Sequence, residues 1–302
     1  MKAPGDKRNT WKDGIIQVMV TRACDLHCTH CTQGSNLAGK PVVMSVAQFE
    51  EACASLIDYY GVVGVFGGNP CVHPAFEQIA RTIQRIIPYE RRGLWSNNLM
   101  GYGKLCREIF NPEVSNLNVH MNYKAYMEML RDWPECHPKG ANDSRHSPPF
   151  VALVDMDDLT ISDKWALINK CDINQYWSAM IGVFRGELRA WFCELAGSQS
   201  MLHEKEQDYP DTGVKIFSGW WRSSLEMFEE QIYRHCFTCG IPLKGLGDLA
   251  MHGQVEQYSA SHVNIMKLKK PGSRDLVMIK LRRELGGEVP RATDYIENGA
   301  IR

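Results

Sequence analysis

Short apolar runs alternate with amphipathic stretches along the first half of the chain. Residues 14–20, GIIQVMV, form a run rich in β-branched side chains and long enough for one strand buried on both faces. Ser45 is placed to cap a helix with Gln48 three residues on, and Val46, Phe49, Cys53, Leu56, Ile57 and Tyr60 recur at helical spacing until Gly61. VVGVF (62–66) predicts a second buried strand, while Phe76, Ile79, Ile83 and Ile87 predict a helix over 74–87 that Pro88 stops. The rhythm continues with a strand at 93–96, a helix at 104–110, a strand at 117–121, a helix at 125–131, a strand at 150–154 and a helix at 163–170. Repeated strand–helix units predict a parallel sheet with crossover helices, open or curled into a partial barrel.

Two stretches break that rhythm. Residues 133–149, WPECHPKGANDSRHSPP, hold too many turn formers for a regular element and read as an irregular loop. Beyond Cys171, SAMIGVF and ELRAWF flank Arg185-Gly186 as a hairpin, and a polar stretch then leads to an amphipathic helix near 223–234. A change of domain is expected there, dividing the chain into a core over 1–170 and a smaller α+β region over 171–302. No internal repeat is visible.

Composition narrows the class. A chain of 302 residues with 44% apolar and 23% charged residues and no low-complexity tract is expected to fold around a sizeable core, as one large α/β domain or one with an appendage. Lys and Arg number 34 against 35 Asp and Glu, so no overall positive field indicates a nucleic acid or an anionic membrane as partner. The most basic stretch, 267–283, reads as a solvated helix face. The first residues are polar, and no run approaches the roughly 18 to 20 apolar residues that span a bilayer, so a cytoplasmic protein is expected. In a reducing compartment eleven cysteines point to metal or redox chemistry rather than to disulfides, which makes their spacing decisive.

TRACDLHCTHC (21–31) sets Cys24, Cys28 and Cys31 at spacing CxxxCxxC in a loop directly after the first strand. Thiolate is a soft ligand suited to iron–sulfur clusters, and three ligands leave one iron of a four-iron cluster open to an external molecule. Zinc sites more often show two paired CxxC units, and cysteines used for packing would not cluster in a polar segment. The segment resembles the cluster loop of the radical S-adenosylmethionine superfamily, and VFGGNPCVHPAFEQI (65–79) resembles that family's GGEP segment after the second strand. The resemblance implies a partial (βα)6 TIM-like barrel, a four-iron four-sulfur cluster on the three cysteines, and S-adenosylmethionine bound at the open iron.

By position in the motif, Gly67, Gly68 and Pro70 inherit contact with the methionine amino group of that cofactor. Asn69 stands where the family has Glu, so a side-chain contact there would lack the ionic contribution. Ser96 and Asn97 in LWSNN resemble the polar residues that end the family's third strand, near the ribose and methionine portions, and Asn122, with His120, ends the next candidate strand.

RHCFTCG contains Cys236 and Cys239, while Cys171 and Cys193 bracket the predicted hairpin. Their order resembles the single-cluster appendage called the twitch domain, a shortened SPASM domain, although six residues separate Gly186 from Cys193 and no cysteine follows Cys239. Four cysteines suit a second iron–sulfur cluster or a zinc ion. Cys53, Cys71, Cys106 and Cys136 read as packing or loop residues, with Cys136 beside His137 an alternative to Cys171.

The resemblance implies an enzyme that takes an electron from a reductant such as flavodoxin or ferredoxin. It cleaves the cofactor to methionine and a 5′-deoxyadenosyl radical, which abstracts hydrogen from a small-molecule, nucleotide, sugar or peptide substrate. A non-catalytic iron–sulfur or zinc protein, used for electron transfer or partner binding, is the competing class. Asp155, Asp157 and Asp158 leave a candidate strand on the cluster side, but Asp is common in turns and caps, so no acid or base is assigned.

Overall fold

The computed structural model describes residues 14–26, 33, 35, 41–119, 122–136, 160–169, 171, 179–223 and 225–239. The architecture is mixed α/β with a parallel-rich sheet. Strands β1 (Ile15–Thr21), β2 (Val62–Gly67), β3 (Arg92–Ser96) and β4 (Asn116–Leu117) pair in parallel, and β5 (Ala179–Phe184) joins the other edge of β1, also in parallel. Strands β6 (Glu187–Trp191) and β7 (Val214–Lys215) then add antiparallel, giving the order β4-β3-β2-β1-β5-β6-β7. β1 therefore lies at the centre, which is why its six residues from Ile16 to Thr21 are all buried.

The helices follow from the apolar spacing. α1 (Val46–Ala54) starts with the capping box expected of Ser45 and Gln48, in which Gln48 N–H donates to Ser45 Oγ at 3.1 Å and Ser45 N–H donates to Gln48 Oε1 at 3.0 Å. It ends earlier than its periodicity suggests, because tight bonds from Leu56 N–H to Cys53 O and from Tyr59 N–H to Leu56 O take over. Leu56 and Tyr59 stay buried in that turn, whereas Ile57 and Tyr60 are exposed. α2 (Phe76–Ile86), α3 (Gly103–Ile109) and α4 (Tyr123–Asp132) each pack on the helix before, and α5 is Ile161–Asn169. The fourth strand is shorter than the predicted 117–121, and the strand expected at 150–154 lies outside the described residues.

Past residue 171 the predicted hairpin is present. Arg185 (φ 51°) and Gly186 (φ 84°) both take left-handed backbone, the requirement of the two-residue turn whose twist matches its strands. Its first strand hydrogen-bonds to β1, so residues on both sides of position 170 share one sheet. α6 (Glu194–Leu202) packs on β5 and β6 although nothing in the sequence signalled it. ELAGSQSML carries no apolar stripe, because small residues let it bury nearly all round; a Cβ on Gly197 would lie 2.2 Å from a Met180 carbon. The helix expected near 223–234 is instead a 3₁₀ turn, Leu225–Phe228, followed by α7 (Glu229–His235).

Candidate functional site

Three adjacent parallel strands bring their C-terminal loops to one edge of the sheet, where open α/β folds place their ligands. The loop after β2 is stitched to the loop after β1 by two backbone bonds: Gly68 N–H donates to Thr21 O at 2.9 Å and Asn69 N–H to Ala23 O at 2.8 Å. A Cβ on Gly67 would lie 2.3 Å from Thr21 O, and one on Gly68 would lie 2.4 Å from Ala23 O, so no larger residue fits either position. The glycines are thus required for the approach of one loop to the other.

Asn69 completes the stitching. Its Oδ1 accepts from Cys71 N–H at 3.0 Å and from Ser96 Oγ–H at 2.9 Å, while its Nδ2 donates to Asn98 O at 3.1 Å and to Asp25 Oδ1 at 2.8 Å. Those four bonds use the full capacity of a carboxamide, and the residue is completely buried. The side-chain contact to a cofactor ammonium expected of Asn69 is therefore not available in this arrangement. Pro70 opens the 3₁₀ turn Pro70–Val72, which the Asn69 side chain caps. Ser96 and Asn97, each 6% exposed, face the same knot.

Asp25 is the residue on which the three loops converge, and sequence reasoning missed it. Oδ1 accepts from Asn69 Nδ2 and, at 2.9 Å, from Asn97 Nδ2; Oδ2 accepts from Asn98 Nδ2 at 2.9 Å. Burial on its own would raise the carboxyl's pKa, but the amides of Asn97, Asn69 and Asn98 together hold it below the ordinary aspartate value. Asn98 was also missed, although the doubled Asn in LWSNN was the available signal.

Cys24 stands next to this carboxylate, half-buried. Its Sγ lies 3.7 Å from Asn97 Oδ1 and 4.0 Å from Asp25 Oδ1, and it accepts Leu26 N–H at 3.4 Å. An accessible soft sulfur that receives an N–H is chemically suited to metal coordination as thiolate. Its expected partners Cys28 and Cys31 lie outside the described residues. Arg22, two residues before Cys24, donates from Nη1 to Met201 O at 2.7 Å and so ties the cysteine loop to the end of α6.

The remaining predicted residues go elsewhere. Asn122 caps α4, its Oδ1 accepting Ala125 N–H at 3.2 Å, which gives it a local structural role. Cys193 is buried at the start of α6, its thiol pushed well above the ordinary range by burial and then by the nearby Cys171, Glu194 and Cys239. Three of the four C-terminal cysteines are thus neighbours, and Cys236 and Cys239 share one 3₁₀ turn. Among the described residues, no group of three or more Cys, His, Asp or Glu side chains is arranged to hold a metal ion. Cys136 joins Cys71 near the buried Cys106, whose thiol is raised by burial and by those two neighbours, so Cys136 is no substitute for Cys171. His120, His137, Asp155, Asp157 and Asp158 lie outside the described residues, and no described helix is long and apolar enough to cross a membrane.

Residues 18–130 match the family model of the radical SAM superfamily, a span that contains the end of β1, all of β2 to β4 and every residue of the knot described above. Among solved structures, the chain is similar to one described as the crystal structure of BtrN in complex with AdoMet and 2-DOIA. The TM-score is 0.42 at 14% identity, over 76% of this chain and 88% of that one, a likeness too weak to carry fold or function across. No curated protein matches the sequence.

Proposed function

We propose that this chain, which carries a radical SAM superfamily domain over residues 18–130, is a radical S-adenosylmethionine enzyme whose cluster is held by Cys24 together with Cys28 and Cys31. The observation that carries the reading is the convergence of three strand-end loops on Asp25 directly beside Cys24, a rigid polar knot next to an accessible sulfur. When bound, the reduced cluster and S-adenosylmethionine supply a 5′-deoxyadenosyl radical able to take hydrogen from an unactivated C–H bond.

The chain's own residues do the placing. Gly67 and Gly68 fix the second loop against the first, Asn69 locks both to the third, and Ser96 holds the Asn98 backbone by accepting its N–H. A preorganised rim of this kind keeps a bound cofactor from shifting during reaction. Pro70 sets the turn beneath it. Residues 171–302 form, in this reading, an auxiliary region in which Cys171, Cys193, Cys236 and Cys239 hold a second iron–sulfur cluster of the twitch type. The neighbouring of Cys193 with Cys171 and Cys239 supports that assignment. A cytoplasmic location with a flavodoxin or ferredoxin as electron donor completes the reading.

The test is direct. Anaerobically reconstituted full-length protein, given dithionite and S-adenosylmethionine, should release 5′-deoxyadenosine and methionine. A chain that assembles its cluster yet releases neither would be an electron carrier or a binding protein instead.

A further inference from the structure

Three carboxamides on one face of the sheet hold oxygens that accept nothing. Gln17 pairs with Gly64, Gly64 with Gly93, and Trp95 with Asn116. Paired residues on neighbouring strands face the same side, as do residues two apart on one strand. Gln17, Trp95 and Asn116 therefore share a face, and Asn118 joins them because its N–H continues the ladder to Ser96 O at 2.9 Å. Among the described residues, Gln17 Oε1, Asn116 Oδ1 and Asn118 Oδ1 are each buried and receive no hydrogen bond. Gln17 is completely buried, and its amide is held one way round because Nε2 donates to Glu194 Oε2 at 2.7 Å. Buried acceptors are costly to leave unmet, and three on one face call for donors that enter from outside.

Between these acceptors lies an apolar floor. A Cβ on Gly64 or on Gly93 would lie 2.4 Å from the same carbon of Trp95, so the two glycines let the indole lie down across β2 and β3. Trp95 is half-buried, with one ring face on the sheet and the other turned from it. β1 and β4 are three strand spacings apart, about 14 Å along the sheet, an interval that one substituted ring bridges with a side chain and a hydrogen bond at each edge.

We infer that this face is the substrate subsite of the enzyme read above, and that it takes a polyhydroxylated ring, a sugar or cyclitol. Hydroxyl or amino groups of the ring donate to Gln17, Asn116 and Asn118, and its C–H face lies on the electron-rich face of Trp95. The inference rests on that functional reading and narrows its substrate class. A hydroxyl turns its hydrogen toward whichever acceptor it meets. A nucleotide brings phosphate, which only accepts, and a peptide brings as many carbonyls as N–H groups, so neither matches a set made of acceptors.

The experiment reads binding to reconstituted full-length protein in the presence of S-adenosylmethionine, by saturation-transfer NMR and equilibrium dialysis. The probes are myo-inositol and D-glucosamine; cytidine monophosphate and triglycine are the controls. The probes should bind the wild type and the controls should not. Asn116→Leu and Asn118→Leu should each weaken the probes about three- to tenfold, the scale of one neutral hydrogen bond, and Trp95→Leu at least as much. Both Asn variants should also raise the urea midpoint, because each replaces an unmet acceptor with an apolar group. A lowered midpoint or failure to fold in either Asn variant would show the amides to be structural and overturn the inference. So would absence of binding by both probes, probe binding untouched by the substitutions, or binding of a control in their place. Release of 5′-deoxyadenosine is assayed on the same samples. Its absence would bring down the functional reading, whereas cleavage without probe binding brings down the inference alone.

Discussion

Cys24 and Cys193 both sit just past the end of a strand, yet their surroundings are opposite. Cys24 follows β1 in a loop of polar side chains, half-buried, with the Leu26 N–H aimed at its sulfur and the Asn97 amide beside it. Cys193 follows β6 at the mouth of α6, only 7% exposed, and its thiol is held protonated by burial. The contrast teaches that spacing alone does not tell a ready ligand from a packed one. A sulfur in a preorganised polar loop is poised to lose its proton to a metal, whereas a buried one must first be paid for by the metal it binds.

The largest expected effect separates the two sites outright. Cys24→Ala should reduce release of 5′-deoxyadenosine to background while shifting stability by no more than about 0.5 kcal/mol, because little packing is removed. If urea denaturation shows Cys24→Ala to be strongly destabilising, the loop is a structural core and the contrast with Cys193 disappears.

Asn69→Ala comes next in size. It deletes four hydrogen bonds at a completely buried position, one of them to a carboxylate, and should cost about 3 kcal/mol in the midpoint of denaturation. Cofactor cleavage should fall with it, since the loops after β1, β2 and β3 lose their shared partner. A loss of cleavage without a loss of stability would mean that Asn69 reaches the cofactor directly.

Cys193→Ser tests the other side of the comparison. A hydroxyl placed where a buried thiol packs should destabilise metal-free protein by about 1–3 kcal/mol, measured against urea. In reconstituted protein the same substitution should also lower the iron content if the C-terminal cysteines hold a cluster. Iron content equal to wild type would leave Cys193 as a packing residue.

The sequence made the scaffold of the first region readable because its signals are local. Apolar runs marked β1 and β2, Ser45 and Gln48 marked a helix start, and Arg185-Gly186 marked the hairpin turn. The site was readable as a set of loops but not as a set of contacts. Asn69 read as a ligand contact because its place in the motif suggested one, whereas its partners lie 44, 27 and 29 residues away at Asp25, Ser96 and Asn98 and emerge only when three strands align. Asp25 was invisible for the same reason, and α6 because burial on all sides erases the periodicity that reveals a helix. Pairing of β5 with β1 spans more than 160 residues, a contact that no local pattern encodes.

His73 provides the finest test, because each region contains a buried histidine. In the first region Ala75 N–H donates to His73 Nδ1 at 3.0 Å, so Nε2 carries the hydrogen that meets Met44 O at 2.9 Å. Burial lowers the pKa of His73, against the opposing pull of the Met44 carbonyl. His235 in the second region is lowered further, to about 3, by burial and then by Arg234 and His203. Both bind a proton less readily when folded than when unfolded, so their contribution is complete above about pH 6.5 and declines as the pH falls below it. Each can steepen that decline by at most about 1.4 kcal/mol per pH unit. His73→Gln should flatten the slope of stability between about pH 6.5 and 5 and leave the share due to His235, as read from urea midpoints across a pH series. An unchanged slope would show that the ring does not have to stay neutral to hold the loop behind Gly67 and Gly68, and that the anchoring of the first region rests on the Asn69 knot alone.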